Sequence, residues 1–157
     1  MDLLKKVPVR EQDAKARAKN FEEVCYGYNA EEAQKEAARC LKCKNAKCMG
    51  GCPVSINIPA FIREVEAGDF EAAANVIAEA SALPAVCGRV CPQESQCEGQ
   101  CIRGIKGEPV SIGKLERFVA DWSREHGFVP KAAKEKNGRR VAVVGSGPAG
   151  LTCAGIL

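Results

Sequence analysis

Apolar side chains recur at helical spacing through most of the first 126 residues, and alternate at strand spacing nowhere in that stretch. Lys5–Val24 is charged, with Ala and Phe between the charges, and predicts an exposed helix. Asn29 is followed three positions later by Glu32, a capping-box start for a helix from Ala30 to about Leu41 with Cys40 at its end. Asn57 and Pro59 open a helix over Pro59–Ala67 that Gly68 closes. Asp69 caps a further helix, Phe70–Ala80, which ends before Leu83-Pro84. Ser111 caps the last of this series, which runs to His126 and stops at Gly127. Cys40–Pro53, with its adjacent Gly50 and Gly51, and Cys87–Cys101 show no period and predict loops.

The character changes after Gly127. Gly127–Gly138 is basic, contains Pro130 and Asn137-Gly138, and predicts a linker. Val141–Val144 is a short apolar β run that leads into Gly145-Ser146-Gly147-Pro148-Ala149-Gly150 and then into the apolar start of a helix. The expected organisation is a helical domain over 1–127, a linker over 128–138, and the truncated start of a nucleotide-binding domain over 139–157. The fold class is mainly α.

Composition narrows the chemistry. The 157 residues carry a formal charge of +3 and only 5% aromatic side chains, too little of either to point to nucleic acid. The N-terminus lacks the apolar core and cleavage site of a secretory signal. The longest uncharged run, Val141–Leu157, has 17 residues with four Gly and one Pro, a poor membrane span. A reducing cytoplasm is therefore expected, where thiols serve as ligands rather than disulfides. The outlier is cysteine, present ten times.

Eight of these form two sets. The first is Cys40-x2-Cys43-x4-Cys48-x3-Cys52-Pro53; the second is Cys87-x3-Cys91-Pro92-x4-Cys97-x3-Cys101. Short spacers let thiolates on one loop converge on a soft metal centre. The first set is close to the C-x2-C-x2-C-x3-C-P run of bacterial ferredoxins, in which the last Cys serves the other cluster. By that logic Cys52 leaves the first centre for the second. A pair of structural zinc sites would also use thiolates, but usually as separated C-x2-C knuckles, and only one C-x2-C occurs here. Cys25 and Cys153 have no partners in the pattern and read as small buried residues.

Two further signals bear on chemistry. At about 100° per residue, Ile112, Leu115, Phe118, Val119 and Trp122 share one helix face. Glu116 falls on the border of that face and Arg117 on the opposite side. A carboxylate there is either a packed surface residue or an extra ligand for a nearby metal centre, with Cys87 as its rival. The second signal is G-x-G-x-x-G between a strand and a helix, the context of a dinucleotide turn. Gly145 allows the tight turn, Gly147 the approach of a pyrophosphate, and Gly150 the close packing of helix on strand. The acidic ribose partner, expected about 20 residues further on, lies beyond Leu157, so this stretch alone should not retain a dinucleotide.

Taken together, Cys40-Leu-Lys-Cys43, Cys48-Met-Gly-Gly-Cys52-Pro-Val, Cys87-Gly-Arg-Val-Cys91-Pro, Cys97-Glu-Gly-Gln-Cys101, Ile112-Gly-Lys-Leu-Glu116 and Val-Ala-Val-Val-Gly145-Ser-Gly-Pro-Ala-Gly150 resemble the start of the glutamate synthase small (beta) subunit family. The superfamily includes the large subunit of NADH-dependent ferredoxin:NADP oxidoreductase and the N-terminal part of dihydropyrimidine dehydrogenase. The resemblance implies an alpha-helical ferredoxin-like domain with two 4Fe–4S clusters, followed by Rossmann-type FAD and NADPH domains. It implies Cys40, Cys43, Cys48 and Cys101 for one cluster, and Cys52, Cys91 and Cys97 plus a non-cysteine ligand for the other. That ligand is a Gln in dihydropyrimidine dehydrogenase at the position aligning with Glu116, and Cys87 is left unassigned. It further implies a redox partner: the glutamate synthase large subunit, or another flavoprotein or ferredoxin acceptor.

Overall fold

The computed structural model describes residues 2–131, 135 and 137–157. Its first elements come from pairing rather than from helix. Strand β1 (Arg10–Glu11) runs antiparallel to β2 (Cys25–Gly27), with Arg10 opposite Gly27, Glu11 opposite Cys25, and a register irregularity between Arg10 and Glu11. The exposed helix expected over Lys5–Val24 shrinks to one turn, α1 (Ala14–Arg17), capped by Asp13. That segment lacks an apolar face to pack as a helix, and the backbone groups of its two ends find each other instead.

The capping box opens α2 (Ala30–Ala37) as expected, with the Asn29 side chain accepting from Glu32 N and the Glu32 carboxylate accepting from Asn29 N. The helix ends at Ala37, so Cys40 lies in the turn beyond it. One turn of helix, α3 (Lys47–Gly50), forms inside the segment expected to be loop. Asn57 caps α4 (Ile58–Ala67), which closes on Gly68 with φ 83°, a left-handed conformation suited to glycine. Asp69 caps α5 (Phe70–Ala78).

A second departure follows. Cys87 is on a helix, α6 (Pro84–Val90), not in a loop. Pro84 stands in its first turn, where a missing N–H costs nothing. Cys91 follows at its C-cap, and two 3₁₀ turns, Glu98–Gln100 and Ile102–Ile105, flank Cys101. The longest helix is α7 (Ile112–Glu125).

α4 packs on α5, and α7 packs on both α5 and α6, while α2 closes the other side against α4 and α7. Phe61, Ile62, Val65, Ile77, Leu115 and Val119 form the buried centre. Phe70 meets the edge of Phe118 with ring centroids 4.9 Å apart. The wheel placed Arg117 on the solvent side of α7; instead it is buried. α7 is covered on two faces, because α6 lies across the side that apolar spacing left polar. The Arg117 guanidinium there donates to the Cys25 carbonyl and pairs with Glu23 and Asp121.

A fully buried ion pair, Glu36–Arg39, ties three segments together. Arg39 donates to the carbonyls of Leu3, Glu108 and Pro109. Glu36 accepts from Val7 N and Ser111 N.

At the C-terminal end, Val141–Val144 forms no strand; among the described residues it has no neighbouring strand with which to share a ladder. The helix after the glycine-rich turn does form, as α8 (Pro148–Ile156), with Gly145 at φ 106° in the turn before it. Of the strand, turn and helix expected here, the turn and the helix form and the strand does not. The expected linker falls partly on 132–134 and 136, outside the described residues. No helix among the described residues is long and apolar enough to cross a membrane. Cys25 is half-buried and Cys153 is exposed, so neither is the small core residue expected.

Candidate metal centre

Four cysteines from three segments line one cavity. Cys40 follows α2, Cys43 follows the left-handed turn at Lys42 (φ 50°), Cys48 sits on α3, and Cys101 lies between the 3₁₀ turns. Ile58, Ile62 and Ile112 form its apolar floor. Burial pushes the Cys48 thiol up to about 11, and the neighbouring Cys101, Cys40 and Cys43 add to the rise. Burial raises Cys40 as well, with Cys101 and Cys43 contributing. Cys40 and Cys48 thus feel the other thiols at this cavity, and a metal that neutralises them would reverse that penalty.

The second group assembles because two segments touch. A Cβ at Gly51 would stand 2.7 Å from the Gln96 carbonyl oxygen, so only glycine lets the end of the first loop approach the second. Cys52, the next residue, is thereby placed beside Cys97. Burial raises Cys97 to about 12, followed by the charges of Glu98, Cys52 and Glu116. Cys91 rises to about 11, from burial first and then from Cys87, Glu116 and Cys52. Cys87 rises through burial and the nearby Glu116.

Glu116 completes this group. It projects from α7 at 8% exposure, and burial alone raises its carboxyl from the ordinary 4.5 to about 7. Its Oε1 is buried without a hydrogen-bond partner. A stranded carboxylate oxygen costs about 1–3 kcal/mol or more unless something binds it. Cys40, Cys43, Cys48 and Cys101 thus line one cavity, while Cys52, Cys87, Cys91, Cys97 and Glu116 make a second group of five.

Among the described residues no three of these side chains already stand in a single-ion metal shell. A four-iron cage takes one ligand per iron and wants them spread around it. Soft thiolates and apolar walls suit iron–sulfur ligation, and the buried Glu116 carboxylate offers one further donor.

Two supports were not visible in the sequence. Glu98, adjacent to Cys97, accepts from Gly113 N at 3.2 Å and pairs with Lys6 at 2.6 Å. It thereby fixes the start of α7, one turn before Glu116. Gln93 donates to the Cys87 carbonyl at 3.1 Å and packs on Gly113, which has no room for a Cβ. Both are polar residues whose spacing carries no motif.

The other expected site lies apart. Gly145, Ser146, Gly147, Pro148 and Ala149 are exposed and Gly150 is half-buried. A Cβ at Gly150 would strike the Gly145 carbonyl, whereas Gly147 faces open space.

The family model for dihydropyrimidine dehydrogenase domain II, 4Fe–4S cluster, matches residues 17–128. The chain belongs to this 4Fe–4S domain family. The matched span covers both cysteine groups and the whole of α7. Named relatives of this domain include the glutamate synthase [NADPH] small chain of Escherichia coli K12, 37% identical over 155 residues, or 98% of this chain. The same-named protein of Halomonas elongata is 40% identical over 145 residues, or 92% of the chain. The NAD-dependent dihydropyrimidine dehydrogenase subunit PreT of E. coli K12 is 43% identical over 119 residues, or 76% of the chain. The chain spans 33%, 31% and 29% of these three relatives, respectively.

Proposed function

We propose that this domain carries electrons through two 4Fe–4S clusters within an NAD(P)H- and FAD-dependent oxidoreductase of the glutamate synthase small-subunit type, in the cytoplasm. Cys40, Cys43, Cys48 and Cys101 would hold one cluster; Cys52, Cys91, Cys97 and Glu116 the other. Such a cluster, when bound, accepts and releases single electrons. The chain's own part is to hold the ligands, keep water from the sulfurs and set the surrounding polarity. The apolar floor of Ile58, Ile62 and Ile112 does this at the first centre. At the second, Glu98 holds α7 so that Glu116 faces the thiols.

The turn from Gly145 to Gly150 supports an adjoining FAD domain, since the open backbone at Gly147 suits a pyrophosphate at the N-terminus of α8. NADPH would supply hydride to that flavin in the full-length protein, and a glutamate synthase large subunit would take the electrons. Similarity to PreT favours a second reading, in which a ferredoxin or a pyrimidine-reducing flavoprotein is the acceptor.

The observation that carries the proposal is the gathering of four thiols at one cavity and of four further thiols with one stranded carboxylate at a second place. Anaerobic purification tests it. We expect a brown protein with about eight iron and eight sulfide per chain, bleached by dithionite. Colourless protein with stoichiometric zinc overturns the reading in favour of a structural docking module.

A further inference from the structure

Up to Pro130, the excess of positive charge is gathered in two segments. Residues 37–63 and 99–107 contain Arg39, Lys42, Lys44, Lys47, Arg63, Arg103 and Lys106 and no Asp or Glu. The remaining residues up to Pro130 carry eleven cations against nineteen carboxylates. These two segments are the ones that enclose the first cysteine group.

The geometry brings part of this charge to the mouth of the first cavity. Lys47 and Arg103 line it together with Leu41 and Ile102, which are 50% and 37% exposed. Ile105, 78% exposed, and Lys106 continue the same turn. Arg39 is paired internally, Lys42 with Glu66 and Arg63 with Glu64. Lys44, Lys47, Arg103 and Lys106 have no carboxylate partner among the described residues. Beside the second group the sequence places Glu94 and Glu98, and Arg89 is occupied by Glu23 and Asp121.

We infer that the face formed by Leu41, Ile102 and Ile105 with Lys44, Lys47 and Lys106 is the docking surface for an acidic protein that exchanges electrons with the first cluster. The inference rests on the electron-transfer reading. Charge complementarity selects the occupant: unpaired cations around a small apolar lip attract a carboxylate-rich surface, and the apolar lip excludes water where the two centres approach. A small patch with flanking charge fits a transient redox encounter rather than a permanent interface.

The test uses two oxidants that share one haem and differ in charge: native cytochrome c, which is basic, and cytochrome c with its lysines succinylated, which is acidic. The iron-loaded full-length protein, reduced with dithionite, is mixed with each in stopped flow across a salt series. At low salt the succinylated form should react at least about tenfold faster than the native form, and the advantage should vanish at high salt. The Lys44→Glu/Lys106→Glu variant should invert the order, and the milder Lys44→Gln/Lys106→Gln variant should erase it. Oxidation by a small neutral quinone should be unchanged in both variants. Equal rates for the two cytochromes, or an advantage that survives both variants, overturns the inference. So does light scattering that shows a dimer for the wild type and a monomer for the variants, because a second copy would then cover the face. Failure of the underlying reading looks different: no iron and no bleaching, whatever the charge of the probe.

Discussion

A Cβ placed on Gly88 would lie 2.7 Å from the backbone nitrogen of Arg117. Helices α6 and α7 therefore meet backbone against backbone at the level of the second centre, with Cys87 and Cys91 on one side and Glu116 on the other. Gly88→Ala forces the two helices apart, since a main chain cannot swing away as a side-chain tip can. We expect a loss of about 1–3 kcal/mol and a second cluster that is lost first on exposure to air. Parallel urea titration and iron counting check both effects.

The choice between Glu116 and Cys87 is open to a direct comparison. Glu116→Ala removes the carboxylate whose Oε1 has no partner and should make one cluster labile or shift its potential. Cys87→Ser should be milder. Electron paramagnetic resonance of the reduced proteins reads each cluster separately. Loss of one signal in Cys87→Ser with both retained in Glu116→Ala reassigns the site to Cys87.

Arg39 is fully buried and holds three carbonyls besides the Glu36 carboxylate. Arg39→Leu leaves that carboxylate buried and uncompensated, which should cost about 3–5 kcal/mol. Arg39→Lys should recover only part of this, because a compact ammonium cannot reach the same set of acceptors as a planar fork. Thermal melts of the iron-loaded proteins measure the order wild type, Lys, Leu.

The cluster-free chain should be sensitive to pH through Glu116. Burial raises its carboxyl from 4.5 to about 7, so the folded state keeps the proton longer than the unfolded state. The stability this contributes is complete below pH 4.5 and is lost as pH rises through about 7. Cys48, Cys91 and Cys97 are shifted upward from 9.0 and titrate above this window. Urea midpoints should fall between pH 5 and 8, and Glu116→Gln should flatten the fall. An equal slope in the variant would place the titrating group elsewhere.

Local chemistry was legible in the sequence wherever one residue type does one job. Asn29 with Glu32, Asn57, Asp69 and Gly68 mark helix ends because each satisfies or releases a backbone group nearby. The two cysteine sets were legible for the same reason. What depended on distant partners was hidden. Strands β1 and β2 have two and three residues, too few for an alternating pattern. Helix α6 was masked by Gly88, which reads as a breaker in isolation and serves as a contact point in the fold. Arg117 and Arg39 break the rule that charge faces water, and only the partners that surround them explain it. Val141–Val144 has strand composition but no neighbour, and composition alone does not make a ladder.

The segment from Leu4 to Val7 is held by groups that lie far along the chain. Leu4 O accepts from Glu108 N, Lys6 N donates to the Glu108 carboxylate 102 positions away, and Lys6 pairs with Glu98. Closing so long a loop is slow and is rewarded only at the end. On the ribosome the Leu3 and Val7 ends of the arm can meet Arg39 and Glu36 early, whereas Leu4 and Lys6 wait until the Glu98–Glu108 stretch has cleared the exit tunnel. The second cysteine set is made in the same interval. The arm therefore cannot fasten fully before every cysteine of both sets has been made, and its seating records that the chain has passed them.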